Sequence, residues 1–164
     1  MNETLNTFLV GTLVFAGFTF YDLSQKLKTN RASASGLEKQ IFNQAPVVKN
    51  EVFSIIIENE PFKLDMGAFL FAKAECNYTT FYFSKNDQLV KQLKRATLKS
   101  VIEQVAPLAP TVIRSHRAYF VNTRHIKKMT GDAQGYHLYF DHVDFAIPVS
   151  RAMIPSFKKQ VSVN

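Results

Sequence analysis

Apolar and polar positions follow three patterns along this chain, and each pattern predicts a different kind of element. Residues 4–21, TLNTFLVGTLVFAGFTFY, carry no charge, with Glu3 before them and Asp22 after. A membrane-spanning helix needs about 20 apolar residues, with about 17 as the lower limit, so this stretch is just long enough. Glu3 stands where a cleaved signal would need a basic residue, and no clear small-x-small cleavage site directly follows the stretch. The expectation is therefore an uncleaved transmembrane helix over residues 1–22. Asn6 and the threonines weaken its apolar character, and the competing reading is an apolar helix that is buried or used for oligomerisation. Lys26, Lys28 and Arg31 come next, and by the positive-inside rule they keep the rest of the chain in the cytoplasm. The expected location is thus the inner membrane, with the C-terminal domain on the cytoplasmic side.

In the second pattern Leu23, Leu27, Asn30, Ala34, Leu37 and Ile41 recur at alternating spacings of four and three, the seam of a short coiled coil in which Asn30 would set the register. Ser33, Ser35 and Gly36 interrupt it, so residues 23–50 read equally well as a juxtamembrane helix or as a flexible, partly helical linker. Pro46 is expected to end any helix there.

From residue 51 onward the pattern becomes that of short strands. β-Branched and aromatic runs at residues 52–57, 62–65, 69–72, 78–83, 89–91, 126–129, 136–140 and 145–149 are separated by turn signals, among them residues 84–87, 130–132 and 141–142. One helix interrupts the series over residues 98–105: Thr97 is its N-cap, and Leu98, Val101, Ile102 and Val105 share one face. Pro107 and Pro110 prevent its continuation. Together these predict a mainly β fold, an antiparallel sandwich with one or two short helices, preceded by an N-terminal helix.

Composition narrows the function. Cys76 is the only cysteine of the 164 residues, which excludes an internal disulfide and a cysteine-based zinc site. His116, His125, His137 and His142 have no carboxylate or cysteine at metal-ligand spacing. Ser115 and His116 are adjacent in an extended segment, so they point to opposite faces and cannot form a nucleophile-base pair. Neither an enzyme nor a cofactor is expected. The formal charge is +7, and residues 85–128 alone carry ten Lys or Arg against Asp87 and Glu103, a net +8. Basic side chains in the turns of a β scaffold suit double-stranded DNA, since Arg reads guanine bidentately and Lys neutralises phosphate. The same charge could instead meet an anionic membrane or an acidic protein partner.

Four stretches resemble one family. Residues 69–79, FLFAKAECNYT, look like the hydrophobic strand ending in an Asn-Tyr pair near the start of a LytTR domain. Arg95-Ala96-Thr97-Leu98 then corresponds to the beginning of its conspicuous helix, and residues 113–122, IRSHRAYFVN, resemble its R-x-H-R-S-Y-x-V-N segment. Ile147-Pro148-Val149-Ser150-Arg151 is similar to its I-P-V-S-R ending. The resemblance implies an elongated sandwich of three small antiparallel sheets over residues 51–164, whose loops enter two successive major grooves. The family's base-reaching positions fall here on Thr79, Arg117 and Arg151, while Lys73, Arg114 and Lys128 are candidates for phosphate contact. Ala118 departs from the usual serine, and Pro155 places the start of the terminal helix near itself rather than at Ser150. Many members carry an N-terminal phosphorylation receiver, much larger than the 50 residues before Glu51, so control is expected from the membrane segment, oligomerisation or a separate partner. The expected protein is a membrane-anchored transcription regulator that binds a repeated site as a homodimer.

Overall fold

A computed structural model describes residues 2–43 and 51–163, with side chains described from Val10 onward except at 40, 42, 43, 162 and 163. Helix α1 (Asn2–Asn43) is followed by the hairpin β1 (Val52–Ile57) and β2 (Glu60–Asp65), and then by β3 (Phe69–Glu75), β4 (Tyr78–Lys85) and β5 (Gln88–Lys94). Helix α2 (Leu98–Val105) leads to β6 (Val112–His116) and β7 (Tyr119–Asn122). The chain ends with β8 (Ile126–Asp132), β9 (Gly135–Phe140), β10 (Ile147–Ser150) and α3 (Ile154–Val163). The strands form three antiparallel sheets, ordered β1-β2, β10-β9-β8 and β5-β4-β3-β7-β6.

The five-stranded sheet is the middle layer, because both of its faces are apolar. Successive side chains of a strand point to opposite faces, and here each face has its own core. Phe71, Tyr82, Ile113 and Val121 pack with Met129, Leu138, Ile147 and Val149 of the three-stranded sheet and with Phe157 and Val161 of α3. On the other face, Ala72, Phe81, Phe83, Val112 and Phe120 pack with Ile55, Ile57, Phe62 and Leu64 of the β1–β2 hairpin and with Leu98, Val101 and Val105 of α2. Tight turns join the hairpins: Glu58 and Asn59, like Asn86 and Asp87, all have positive φ, the conformation of the two-residue connections that match strand twist. Helix α2 begins where its sequence predicts, with the Thr97 Oγ1 accepting from the Ser100 N–H. Helix α3 begins at Ile154 after a 3-10 turn over Arg151–Met153, so Pro155 falls in its first turn, where a missing N–H costs nothing.

Two expectations are corrected, and a third is left without support. Residues 130–132 are not a turn, because β8 runs on to Asp132 and the chain reverses at Ala133 and Gln134. Residues 23–43 are neither a flexible linker nor a free coiled-coil seam: α1 is one continuous helix, and its second half lies along the edge strand β8. Ala34 and Leu37 are buried in the same core as the three-stranded sheet, with Ile41 packed against it. A helix laid on an edge strand covers backbone groups that would otherwise be open to another chain. Pro46 lies outside the described residues. Third, among the described residues no helix is long and apolar enough to cross a membrane, so the span expected over residues 1–22 is not supported there. The side chains of residues 1–9, which supply its first part, lie outside the described residues. Val10, Leu13, Val14, Phe15, Phe18, Phe20 and Tyr21 are all exposed.

Asn122 closes the middle of the fold. It is fully buried, its Nδ2 donates to Met66 O and Phe69 O at 3.1 Å each, and its Oδ1 accepts from the Arg124 N–H at 3.3 Å. Removing the amide takes a donor from Phe69 O and the acceptor from the Arg124 N–H, while Met66 O keeps its contact with His125 Nε2 at 3.0 Å; each buried polar group that loses its partner costs about 1–3 kcal/mol. Asn122→Ala is therefore expected to lower unfolding stability by about 2–4 kcal/mol in urea titration; a loss under about 0.5 kcal/mol, within the range of a plain surface substitution, would contradict this role.

Candidate nucleic-acid interface

Pairing within the five-stranded sheet gathers basic side chains at one end. Strand β3 pairs with β7 so that Lys73 faces Tyr119, and the Ala74 N–H donates to Ala118 O at 2.8 Å. The Cys76-Asn77 turn between β3 and β4 and the Arg117-Ala118 turn between β6 and β7 therefore lie side by side. Thr79 pairs with Lys94, which places the end of β5, Lys94 and Arg95, beside the same turns. Lys73, Lys94, Arg95, Arg114 and Arg117 thus share one rim, with Glu75 as the acid among them.

Each group has a local explanation. Lys73 Nζ and Glu75 Oε1 are 2.9 Å apart, and both are partly exposed. The bond to Glu75 raises the Lys73 ammonium above its ordinary value. The bonds from Lys73 and then Thr80 lower the Glu75 carboxyl. Arg117 is exposed at the tip of its turn. Arg114 is half-buried and turns its guanidinium back onto that turn, with Nε 3.4 Å from His116 O and Nη2 3.3 Å from Arg117 O. His116 Nδ1 accepts from the Ala118 N–H at 3.2 Å. Ser115, at the register irregularity between Arg114 and His116, is fully buried. Lys94 lies over the Phe62 ring at 5.3 Å and Lys91 over Tyr82 at 5.5 Å, so their stems cover apolar surface while the ammonium groups stay at the edge.

The candidate residues are not all gathered at this rim. Lys73, Arg114 and Arg117 are together. Thr79 belongs to the same end, but its side chain is fully buried and its Oγ1 donates to Ala96 O at 2.8 Å. The exposed groups of that turn are Cys76, Asn77 and Tyr78, of which the last two offer hydrogen-bonding side chains. Arg151 lies across the sandwich, exposed at the start of the 3-10 turn after β10, and that turn packs against β6. Lys128 is exposed on β8 of the three-stranded sheet, opposite Tyr139. Lys94 and Arg95 were expected only as part of the basic segment 85–128, not as individual contacts. Their signal is the two-residue turn at Cys76-Asn77, which fixes the register of β4 and through it brings the end of β5 to the rim.

Basic hairpin turns carried on a β sandwich suit a nucleic-acid-binding domain, whose loops can reach phosphates and base edges. The family model described as "LytTr DNA-binding domain" matches residues 60–162, more than half of the chain. The protein belongs to the LytTR family of DNA-binding domains. A solved structure with the same fold is the LytTr DNA-binding domain of a protein described as a putative methyl-accepting/DNA response regulator from Bacillus cereus. It has a TM-score of 0.53 and 20% sequence identity, and the match covers 69% of this chain and 98% of that one. No curated protein matches the chain.

His116 ties the turn to pH. Burial lowers its pKa below the ordinary 6.5, and the neighbouring Arg117 and Arg114 charges lower it further. The folded value lies below the unfolded one, so the contribution of His116 to stability is complete above pH 6.5 and is lost as pH falls from there through the folded value. An NMR titration of the free protein should give a His116 midpoint below 6.5, with the Ala118 amide shifting at the same midpoint. A midpoint above 6.5, or an Ala118 amide that does not respond, would refute this account of the turn.

Proposed function

We propose that this protein binds double-stranded DNA sequence-specifically and regulates transcription, held at the cytoplasmic face of the membrane by the apolar first half of α1. The observation that carries this reading is the side-by-side placement of two basic turns at one end of the middle sheet, in a chain of the LytTR family. Arg117, exposed and braced through its backbone by Arg114, is the base reader of this rim, since a guanidinium fits the major-groove edge of guanine. Lys73, Lys94 and Arg95 neutralise phosphate. The buried Thr79 hydroxyl is already committed to Ala96, so contact from that turn falls to Asn77 and Tyr78. Arg151 is the second base reader. With Lys128 it comes from the other side of the sandwich, so a duplex reached by both groups is touched at two places along its axis. A homodimer on a repeated site is the expected assembly.

Selection from a random duplex library tests this reading. The protein used should start before Asn30, because Ala34 and Leu37 belong to the core. A repeated motif should be enriched, and Arg117→Ala should relax discrimination at one base pair by about 1–3 kcal/mol while weak general binding persists. If about six phosphates are neutralised, affinity should fall on the order of a thousandfold between about 50 and 200 mM salt. Equal, salt-sensitive binding to every duplex would overturn the proposal and favour a basic module for anionic membrane or an acidic partner.

Membrane attachment has its own check. The full chain should sediment with membranes and be released by detergent but not by high salt, because Val10 to Tyr21 offer apolar rather than charged contact. Release by salt alone would contradict it.

A further inference from the structure

We infer that Asn30 of α1 is a positioning residue for Arg151, so that the docked N-terminal helix sets the geometry of one of the two proposed base-reading arginines. This rests on the reading of Arg151 as a DNA contact. Arg151 Nη2 donates to Ala133 O and approaches Gln134 Oε1 at 3.5 Å. Ala133 and Gln134 are the two residues at which β8 turns into β9.

That turn is clamped from two sides. From within, Asp132 Oδ1 accepts the N–H of Gln134 at 2.7 Å and that of Gly135 at 3.1 Å, and Asp132 Oδ2 lies 2.8 Å from His137 Nε2. Burial works to raise the Asp132 carboxyl, but these N–H donors and the His137 ring outweigh it and leave it below the ordinary carboxylate value. From outside, Asn30 Nδ2 donates to the backbone Asp132 O at 2.6 Å. The Asp132 carbonyl belongs to the planar peptide that leads into Ala133, whose own carbonyl receives Arg151. One rigid peptide group and one residue therefore separate the helix side chain from the guanidinium.

The contacts on either side of the turn allow little slack. A Cβ on Gly131 would lie 2.3 Å from Asn30 O, so the helix backbone rests directly on β8. At the far side Gly135 has φ +145°, and a Cβ there would lie 2.4 Å from Val149 O, two residues before Arg151. Close-packed backbone cannot absorb a helix displacement by rotamer changes. Sliding or rotating α1 withdraws the Asn30 amide from Asp132 O, and the turn that receives Arg151 shifts with it. Arg117 is carried by a different sheet and is untouched by this route. Movement of the helix therefore alters preference at one base position and leaves the other alone.

The test uses the full chain on its selected duplex and single-base variants at fixed salt. Asn30→Ala, and the isosteric Asn30→Asp, which removes the donor, should lower discrimination about fivefold at the base where Arg151→Ala acts and leave it within about twofold at the Arg117 base. Neither should have a further effect in an Arg151→Ala background. In the free protein both should also move the NMR resonance of the Arg151 guanidinium, which a merely structural loss would not do selectively. Equal loss at every base, persistence of the effect without Arg151, or an unmoved guanidinium resonance would overturn the inference. If Arg151→Ala itself leaves discrimination unchanged, the reading of Arg151 as a DNA contact fails. The guanidinium resonance then decides the positioning claim: a shift on Asn30→Ala supports it, and no shift overturns it.

Discussion

The pairing of β3 with β7 joins two hairpins that are far apart in sequence, and both the cores and the basic rim depend on its register. Phe71 opposite Val121 and Ala72 opposite Phe120 assign one residue of each pair of neighbours to each face of the middle sheet. A slip of one residue would exchange the faces and take the aromatic side chains of both cores out of contact. The same register sets Lys73 beside Tyr119 and Ala74 beside Ala118, so the positions of the two basic turns are consequences of core packing rather than a separate arrangement. Loops carried on so constrained a sheet meet a duplex with little loss of conformational freedom, which is how a short turn can act as a reading element.

A count of basic residues overstates the contacts available. Lys127 is paired with Asp141 at 2.8 Å, Lys73 is partly engaged by Glu75, and Arg114 faces the protein's own carbonyls. Arg117 projects because Arg114 and His116 occupy the polar groups of the turn beneath it. Helix α1 makes a comparable division of labour at the opposite sheet. Its first half offers apolar surface that the domain does not cover, while its second half lies on β8 through Asn30, Ala34 and Leu37, and Glu38 Oε1 accepts the Met129 N–H at 3.2 Å. The second half of α1 is thus part of the folded domain rather than a tether.

Much of this was legible in the sequence where one local signal and one burial requirement agreed. Helix α2 has both a capping threonine and a single apolar face, and the β1–β2 hairpin has a β-branched run and a turn that accepts positive φ. Residues 114–116 could be read as extended, but the bounds of β6 and β7 were hidden, because Arg114, Ser115, His116 and Arg117 interrupt the apolar pattern around the Arg117-Ala118 turn. Gly131 looked like a turn residue, whereas it is glycine because the α1 backbone leaves no room for a side chain. The apolar spacing of residues 23–41 could not distinguish a coiled-coil partner from a sheet edge, since either would bury the same face. Which way the Thr79 side chain points could not be read from the sequence, because it depends on pairing with β5, beside which the hydroxyl turns inward to Ala96.

The most direct test of the account is an amide NMR map of the protein titrated with its selected duplex. Perturbations are predicted to concentrate at residues 73–78, 94–95 and 114–118 and around Arg151, with the exposed face of the β1–β2 hairpin silent. A map centred on that hairpin, or one spread evenly over every basic side chain, would contradict the assignment of the two turns and Arg151 as the surface that reads DNA.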